Sequence, residues 1–244
     1  MRRIVVLEAT GSTNDDVRSL ATGGAPEGTV VLAGRQWAGR GRLGRSWESP
    51  DGLGLYLSVL LRPQEPPEHQ GRYAIAAAVA VCEACREFAD DRIVLKWPND
   101  VLADHRKLAG ILAETRQGAQ GTELVLGVGV NVGHQRADLP ESLADAAVSL
   151  RILRHGVVVG RDEVASAVLR SIGDTVARLR SGRWREVSER FLRYAPDATG
   201  RRVRLRSGQE GITSGLDDSG ALKVGTADGI VLAYASESVS PVEE

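Results

Sequence analysis

The chain has 244 residues, 42% of them hydrophobic, which is enough to enclose one sizeable core and a small second module. Its 31 basic and 32 acidic residues leave a net charge of −1, so no global field recruits nucleic acid or an anionic membrane, and any anion binding is local. No apolar run approaches the ~20 residues of a membrane span, and the first one is broken at Glu8, which makes a cytoplasmic protein the expectation.

Residues 3–7 read as a short strand, and Ser12-Thr13-Asn14-Asp15 then offers cap chemistry for a helix through Val17 and Leu20. Gly23-Gly24-Ala25-Pro26 stops that helix before a strand at 29–33. Residues 34–54 are rich in Gly and Arg and show no sustained period, so they read as a long loop, functional or mobile. A buried strand at 55–61, a Pro-rich connector and an Ala-rich helix at 72–88 follow. A strand at 93–97 closes on Pro98, a turn spans 99–106, and strands at 108–114 and 123–132 complete the first half.

Helical spacing returns at 162–180 and 184–194, and Pro196 and Gly200 mark a break. Short alternating runs separated by Asp217-Asp218-Ser219-Gly220 and Ala227-Asp228-Gly229 read as hairpins compatible with a small β-barrel. Strands with only occasional helices between them argue for an α+β, mixed-sheet fold over regular βαβ winding. The division expected is a main domain over 1–196 and a barrel over 197–244. Cys82 and Cys85 form one CxxC inside an apolar stretch, with no second pair and no histidine at zinc-finger spacing, so they read as core residues.

The densest signal is Gly39-Arg40-Gly41-Arg42-Leu43-Gly44-Arg45-Ser46-Trp47. It matches G-x-G-x-x-G formally, but it runs into Ser49-Pro50-Asp51-Gly52 and not into a helix, which removes the dinucleotide reading; no P-loop motif exists either. What remains is a glycine loop whose arginines supply forked donors for phosphate or carboxylate oxygens, with a solvated basic loop as the plainer alternative. All but three of the 31 basic residues are arginine, and Lys96 and Lys107 are two of the three lysines. Both lie near Asp100, in Lys96-Trp97-Pro98-Asn99-Asp100 and Lys107-Leu108-Ala109-Gly110, where a compact cation or a metal-bound phosphate could be placed. A strand-end lysine and a turn aspartate explain the same residues equally well. Gly127-Val128-Gly129-Val130-Asn131 suggests a strand against which something packs flat, or a bulged strand ending in a turn asparagine.

Taken in order, Ser12-Thr13-Asn14, Gln36 with the glycine–arginine segment through Trp47, Lys96 to Asp100, Arg106 to Leu112 and Gly129-Val130-Asn131 resemble the motif set of biotin protein ligases across most of the first 135 residues. The resemblance implies a catalytic domain related to class II aminoacyl-tRNA synthetases and lipoate ligases, followed by an SH3-like barrel. It implies that ATP, with Mg2+, converts biotin to biotinyl-5'-AMP, and that the acyl group passes to a lysine of a biotin carboxyl carrier domain. Arg42 and Lys107 are then the catalytic residues. Biotin falls to Ser12, Thr13, Asn14, Gln36, Gly39, Arg40, Arg42, Lys107 and Gly110. The nucleotide falls to Arg40, Arg42, Arg45, Trp47, Lys96 and Asn131, and the metal to Asp100. Because the motifs start at Ser12, no DNA-binding role is expected. A lipoate or octanoate ligase of the same architecture, or a non-catalytic biotin-dependent regulator, is the alternative.

Overall fold

The computed structural model describes residues 3–89, 92–119, 121–237 and 239–242. Strands β1 (Arg3–Thr10), β2 (Thr29–Gln36), β3 (Gly54–Leu61), β4 (Ile93–Lys96), β5 (Asp100–Ala103), β6 (Arg106–Gly118) and β7 (Gly121–Asn131) form one mixed sheet in the order β1-β2-β3-β7-β6-β5-β4. Only β1 and β2 run parallel.

The two faces of this sheet are covered unequally. Helix α1 (Thr13–Thr22) sets Val17 and Ala21 against Val31, Leu60 and Val125 on one face. The long helices α2 (Gly71–Arg86), α4 (Arg161–Arg180) and α5 (Trp184–Tyr194) share the other face with Leu57, Val59, Leu126 and Val128. Helix α2 is buried nearly all round, and its run of alanines lets α4 and the sheet approach closely. Cys82 and Cys85 lie within it, fully buried, and burial lifts the Cys82 thiol to about 12, so the pair is inert core.

Helix α1 has ten residues and so spans about 15 Å. Seven strands at ~4.8 Å spacing make the sheet about 29 Å wide, so α1 cannot cover its own face. Side chains alternate along a strand, which puts Ser58, Gly127, Gly129, Asn131 and, through the β6–β7 register, Gly110, Leu112 and Glu114 on that uncovered face. The candidate functional site occupies this gap.

After β7 the chain makes irregular turns and a one-turn helix α3 (Leu150–Leu153), whose Ser149 side chain caps it by accepting from Ile152 N at 3.1 Å. The C-terminal strands β8 (Thr199–Leu205), β9 (Glu210–Leu216), β10 (Leu222–Thr226), β11 (Gly229–Ala233) and β12 (Val239–Pro241) form an antiparallel sheet in the order β11-β10-β9-β8-β12. The expected hairpins are there, including the turn in which Asp217 Oδ1 accepts from Ser219 N at 2.8 Å. The closed barrel is not: β11 and β12 are the two edges of the sheet and do not pair with each other among the described residues.

Two further differences from the sequence reading stand out. Residues 100–103 form β5 where a turn was expected, because the apolar Val101 and Ala103 bury against the core. The strand at 29–33 extends to Gln36, which carries that side chain into the site.

Candidate functional site

The loop after β2 folds back on itself and is not an irregular span. Arg40 and Ser46 form an isolated antiparallel bridge, Gly41 N donates to Arg45 O at 2.7 Å, and Trp47 N donates to Gly39 O at 2.9 Å. A Cβ on Gly39 would lie 2.5 Å from Trp47 O, so only glycine lets the two limbs close. The tip, Leu43, takes a left-handed φ of 56° and is exposed.

Beneath the loop, a narrow pocket of about 150 Å³ opens beside a broader cleft of about 780 Å³. The pocket's far end is a continuous hydrogen-bond chain. Gln36 Oε1 accepts from Thr13 N at 2.9 Å and from Thr13 Oγ1 at 3.1 Å, and Gln36 Nε2 donates to Ser49 Oγ at 3.0 Å. Ser58 Oγ lies 2.7 Å from Thr13 Oγ1 and 2.5 Å from Asn14 Oδ1. Asn14 Nδ2 donates to Glu114 Oε2 at 2.6 Å. Ser12, buried, ends helix α1 at the pocket wall without capping it.

The glycines on the sheet face are the spaces into which site side chains fit. Asn14 occupies the room over Gly127, and the Trp47 ring lies so close to Gly129 that a Cβ there would sit 2.5 Å from Trp47 Cε2. Gly110 faces both Trp47 and the Lys107 stem, each 3.1 Å from where its Cβ would be. What packs flat against the Gly127–Gly129 segment is therefore part of the protein itself.

Lys107 stands where pocket and cleft meet. Its Nζ is 2.7 Å from Asp100 Oδ1, an ionic contact lacking the alignment of a hydrogen bond, and 5.4 Å from the Trp47 ring centroid. Its backbone is held on both sides: Lys107 N donates to Ala146 O at 2.7 Å, Val148 N donates to Lys107 O at 3.0 Å, and Asn131 Nδ2 reaches Lys107 O at 3.2 Å and Val148 O at 3.1 Å. A compact ammonium suits this slot between Asp100 and the Trp47 ring.

The three loop arginines have three settings. Arg40 donates two bonds to Asp15, at 2.6 and 2.7 Å, and that hydrogen-bonded pair holds the Asp15 carboxyl below its ordinary range and Arg40 above its own. Arg42 donates to Asn99 Oδ1 at 2.8 Å and to the carbonyls of Ala235 and Glu237 in the C-terminal sheet region; burial depresses its guanidinium, while the Asp100 charge works the other way. Arg45 is exposed and lines both cavities, and its guanidinium has no hydrogen-bond or ion-pair partner among the described residues. Burial pushes the Glu114 carboxyl up, but the bonds from Arg18 and Asn14 outweigh it and the net shift is downward.

Of the residues expected at the site, Ser12, Thr13, Asn14, Gln36, Arg40, Arg42, Arg45, Trp47, Asp100, Lys107 and Gly110 all line the pocket. Asn131 lines only the cleft, with its amide nitrogen already used on backbone carbonyls. Gly39 lines neither cavity and acts in loop closure, and Lys96, exposed at the end of β4, lines neither. Sequence reasoning missed Asp15, Ser58, Asn99, Glu114 and His134. Ser58 carried a signal, being the one small polar side chain in a wholly buried strand. Among the described residues no group of three or more His, Cys, Asp and Glu side chains could hold a metal by itself.

This combination, an open-faced mixed sheet with a polar pocket and a cationic junction roofed by a glycine–arginine loop, has clear relatives. Residues 6–131 match the Biotin/lipoate A/B protein ligase family, and the chain belongs to that family. It is 32% identical over 239 residues to the Bifunctional ligase/repressor BirA of Bacillus subtilis, covering 97% of this chain and 73% of that one. It is 35% identical over 246 residues to the Biotin--[acetyl-CoA-carboxylase] ligase of Mycobacterium tuberculosis, covering 98% and 89%. Among solved structures, the biotin protein ligase of Aquifex aeolicus in complex with biotin and ATP superposes with a TM-score of 0.84 at 29% identity, over 99% of this chain and all of that one.

Proposed function

We propose that the protein is an ATP-dependent biotin protein ligase, which makes biotinyl-5'-AMP with release of pyrophosphate and then acylates a lysine of a biotin carboxyl carrier domain. The observation that carries this reading is the position of Lys107, on the wall common to a polar dead-end pocket and a wider cleft, in a chain that follows biotin ligases over nearly its whole length.

The chemistry fits that geometry. A carboxylate does not acylate an amine at neutral pH, so it must first displace pyrophosphate from the α-phosphate of ATP. Two anions then have to touch, and the site must hold fixed positive charge where they do. With biotin's cyclic urea against Ser12, Thr13, Asn14 and Gln36, and its rings over Gly110, the valerate carboxylate would arrive at Lys107 and Arg42. The nucleotide would lie in the cleft over Trp47 and Asn131, with Arg45 on its phosphates and Arg40 bordering the phosphate and carboxylate region. Leaving Asp100 for the carboxylate costs Lys107 little, because it exchanges one oxygen anion for another.

Asp100 suits magnesium as one hard-oxygen ligand, with the other ligands coming from nucleotide phosphate and water, since no protein cage surrounds it among the described residues. Such an ion would neutralise the developing charge on the pyrophosphate. Closure of the 37–53 loop would keep water from the mixed anhydride. In this reading residues 1–196 form a class II synthetase-like catalytic domain, and the C-terminal sheet of 197–244 is an SH3-like unit that borders the active site through Arg42.

The test is mass spectrometry of a carrier domain incubated with the protein, ATP, magnesium and one acid at a time. A single biotinyl group on one lysine is the expected product. An octanoyl or lipoyl group in its place would reassign the substrate, and pyrophosphate release by none of the acids would remove the enzymatic reading.

A further inference from the structure

Glu114 carries no role in the reaction described above, yet it sits at the end of the chain of hydrogen bonds that lines the pocket. An ionised carboxylate can only accept, so Asn14 must turn its Nδ2 toward Glu114 and its Oδ1 toward Ser58. An amide oxygen can only accept too, so the one proton of Ser58 is committed to Asn14. Ser58 Oγ is thereby left as an acceptor toward Thr13 Oγ1, 2.7 Å away, while the Thr13 backbone N–H holds Gln36 Oε1 and so aims Gln36 Nε2 at Ser49. One fixed charge thereby sets the direction of the bonds from Glu114 through Asn14 and Ser58 to Thr13.

Direction matters because a cyclic urea presents a carbonyl that needs donors beside two N–H groups that need acceptors. A pocket whose amides and hydroxyls could turn either way would offer the wrong partner part of the time, and a buried mismatch is costly. Arg18 and Arg40 flank Glu114 at 2.5 and 3.7 Å and keep it ionised. Ser58 is fully buried and Asn14 nearly so, which leaves no water to compensate a reversed bond.

We infer that Glu114 is a positioning residue that fixes the pocket's specificity for a cyclic urea, acting through Asn14 and Ser58 without touching the ligand. This rests on the ligase reading above. Glu114→Gln keeps the shape but replaces the fixed charge by a neutral amide whose single oxygen must serve Arg18, Arg40 and Asn14 together, so the hold on the Asn14 amide weakens. The expected result is a rise of about tenfold or more in KM for biotin, the scale of one charge-assisted hydrogen bond, with KM for ATP and kcat at saturating biotin little changed. Selectivity for biotin over octanoate, which lacks the urea, should fall by a similar factor.

The companion variant pairs Asn14→Asp with Glu114→Gln. There the new carboxylate at position 14 accepts both from the introduced amide at position 114 and from Ser58, so the serine proton points as in the parent. Its biotin KM should lie closer to the parent value than that of Glu114→Gln alone, and if Glu114→Gln does not fold, a swap variant within about tenfold of the parent carries the inference. A parent that biotinylates while Glu114→Gln equals it in biotin KM and selectivity overturns the inference alone. So does a swap variant that binds biotin no better than Glu114→Gln. A parent that biotinylates nothing overturns the ligase reading and this inference together.

Discussion

The narrow pocket and the broad cleft meet at Lys107 but are built on opposite plans. In the pocket, each polar group of the chain from Gln36 to Glu114 already has a protein partner, so the pattern it offers is set before any ligand arrives. In the cleft, the Arg45 guanidinium has no hydrogen-bond or ion-pair partner among the described residues, and Trp47 Nε1 and His134 Nδ1 are buried without one. On the proposed function, selectivity would come from fixed direction in the first region and anion capture from spare capacity in the second. Preorganisation on one side of the junction is thus joined to unfinished bonding on the other.

The contrast breaks first at the junction. Lys107→Met should lower biotin-dependent pyrophosphate exchange by about 10²–10³-fold, the loss of a preorganised charge at the reacting atoms, while the melting temperature changes little. A drop of less than about tenfold would show that Arg42 and magnesium suffice. Gly129→Ala comes next: the added methyl must displace Trp47, at about 1–3 kcal/mol of stability in urea unfolding, with a weaker ATP KM and a biotin KM closer to the parent's. Equal losses for the two ligands would mean that the pocket and the cleft are a single unit.

Arg42→Ala removes the links to Asn99 and the C-terminal carbonyls, and adenylate should escape about tenfold faster in a chase experiment. Unchanged retention would detach the loop from the closing step. The cleft also has an acid sensitivity. His134 is buried, which holds its imidazole below the ordinary 6.5, so its contribution to stability is present above that pH and is lost as pH falls toward the folded value. His134→Leu should flatten the stability profile on the acid side of 6.5, read by thermal melts between pH 7 and 5. Lys96→Ala, outside both cavities, should change either KM by less than about twofold; a larger effect would restore it to the nucleotide site.

Much of this was legible in the order of residues. Strands that follow one another with only occasional helices between them pointed to the α+β class, and the spacing at 162–180 and 184–194 matched α4 and α5 closely. Glycine in an apolar strand marked Gly127 and Gly129 as places of close approach, although the neighbours proved to be Asn14 and Trp47. Strand β5 was hidden because four residues between turn signals carry too little periodicity, and their burial depends on partners elsewhere in the chain. Glu114 was invisible for a related reason: it lies 100 residues from Asn14, and nothing local distinguishes it from any other carboxylate on a strand. Lys96 and Lys107 looked alike in sequence, and only the register of β4, β5 and β6 sends one to solvent and the other to the junction.

The bare strands under Asn14 and Trp47 bear on redesign. At positions 127 and 129 an added methyl would collide with Asn14 or Trp47, and at 110 it would crowd Trp47 and the Lys107 stem, so the cavity floor resists adjustment by growth. A larger or differently shaped acid has to be admitted by trimming from above, at the indole or the carboxamide, and such cuts would enlarge one compartment at a time. Trimming Trp47 would also strip the aromatic face from the ammonium beside it, whereas trimming Asn14 would leave that cation in place. On the proposed function, new substrates would therefore be more accessible at the head-group end than at the end where bonds are made.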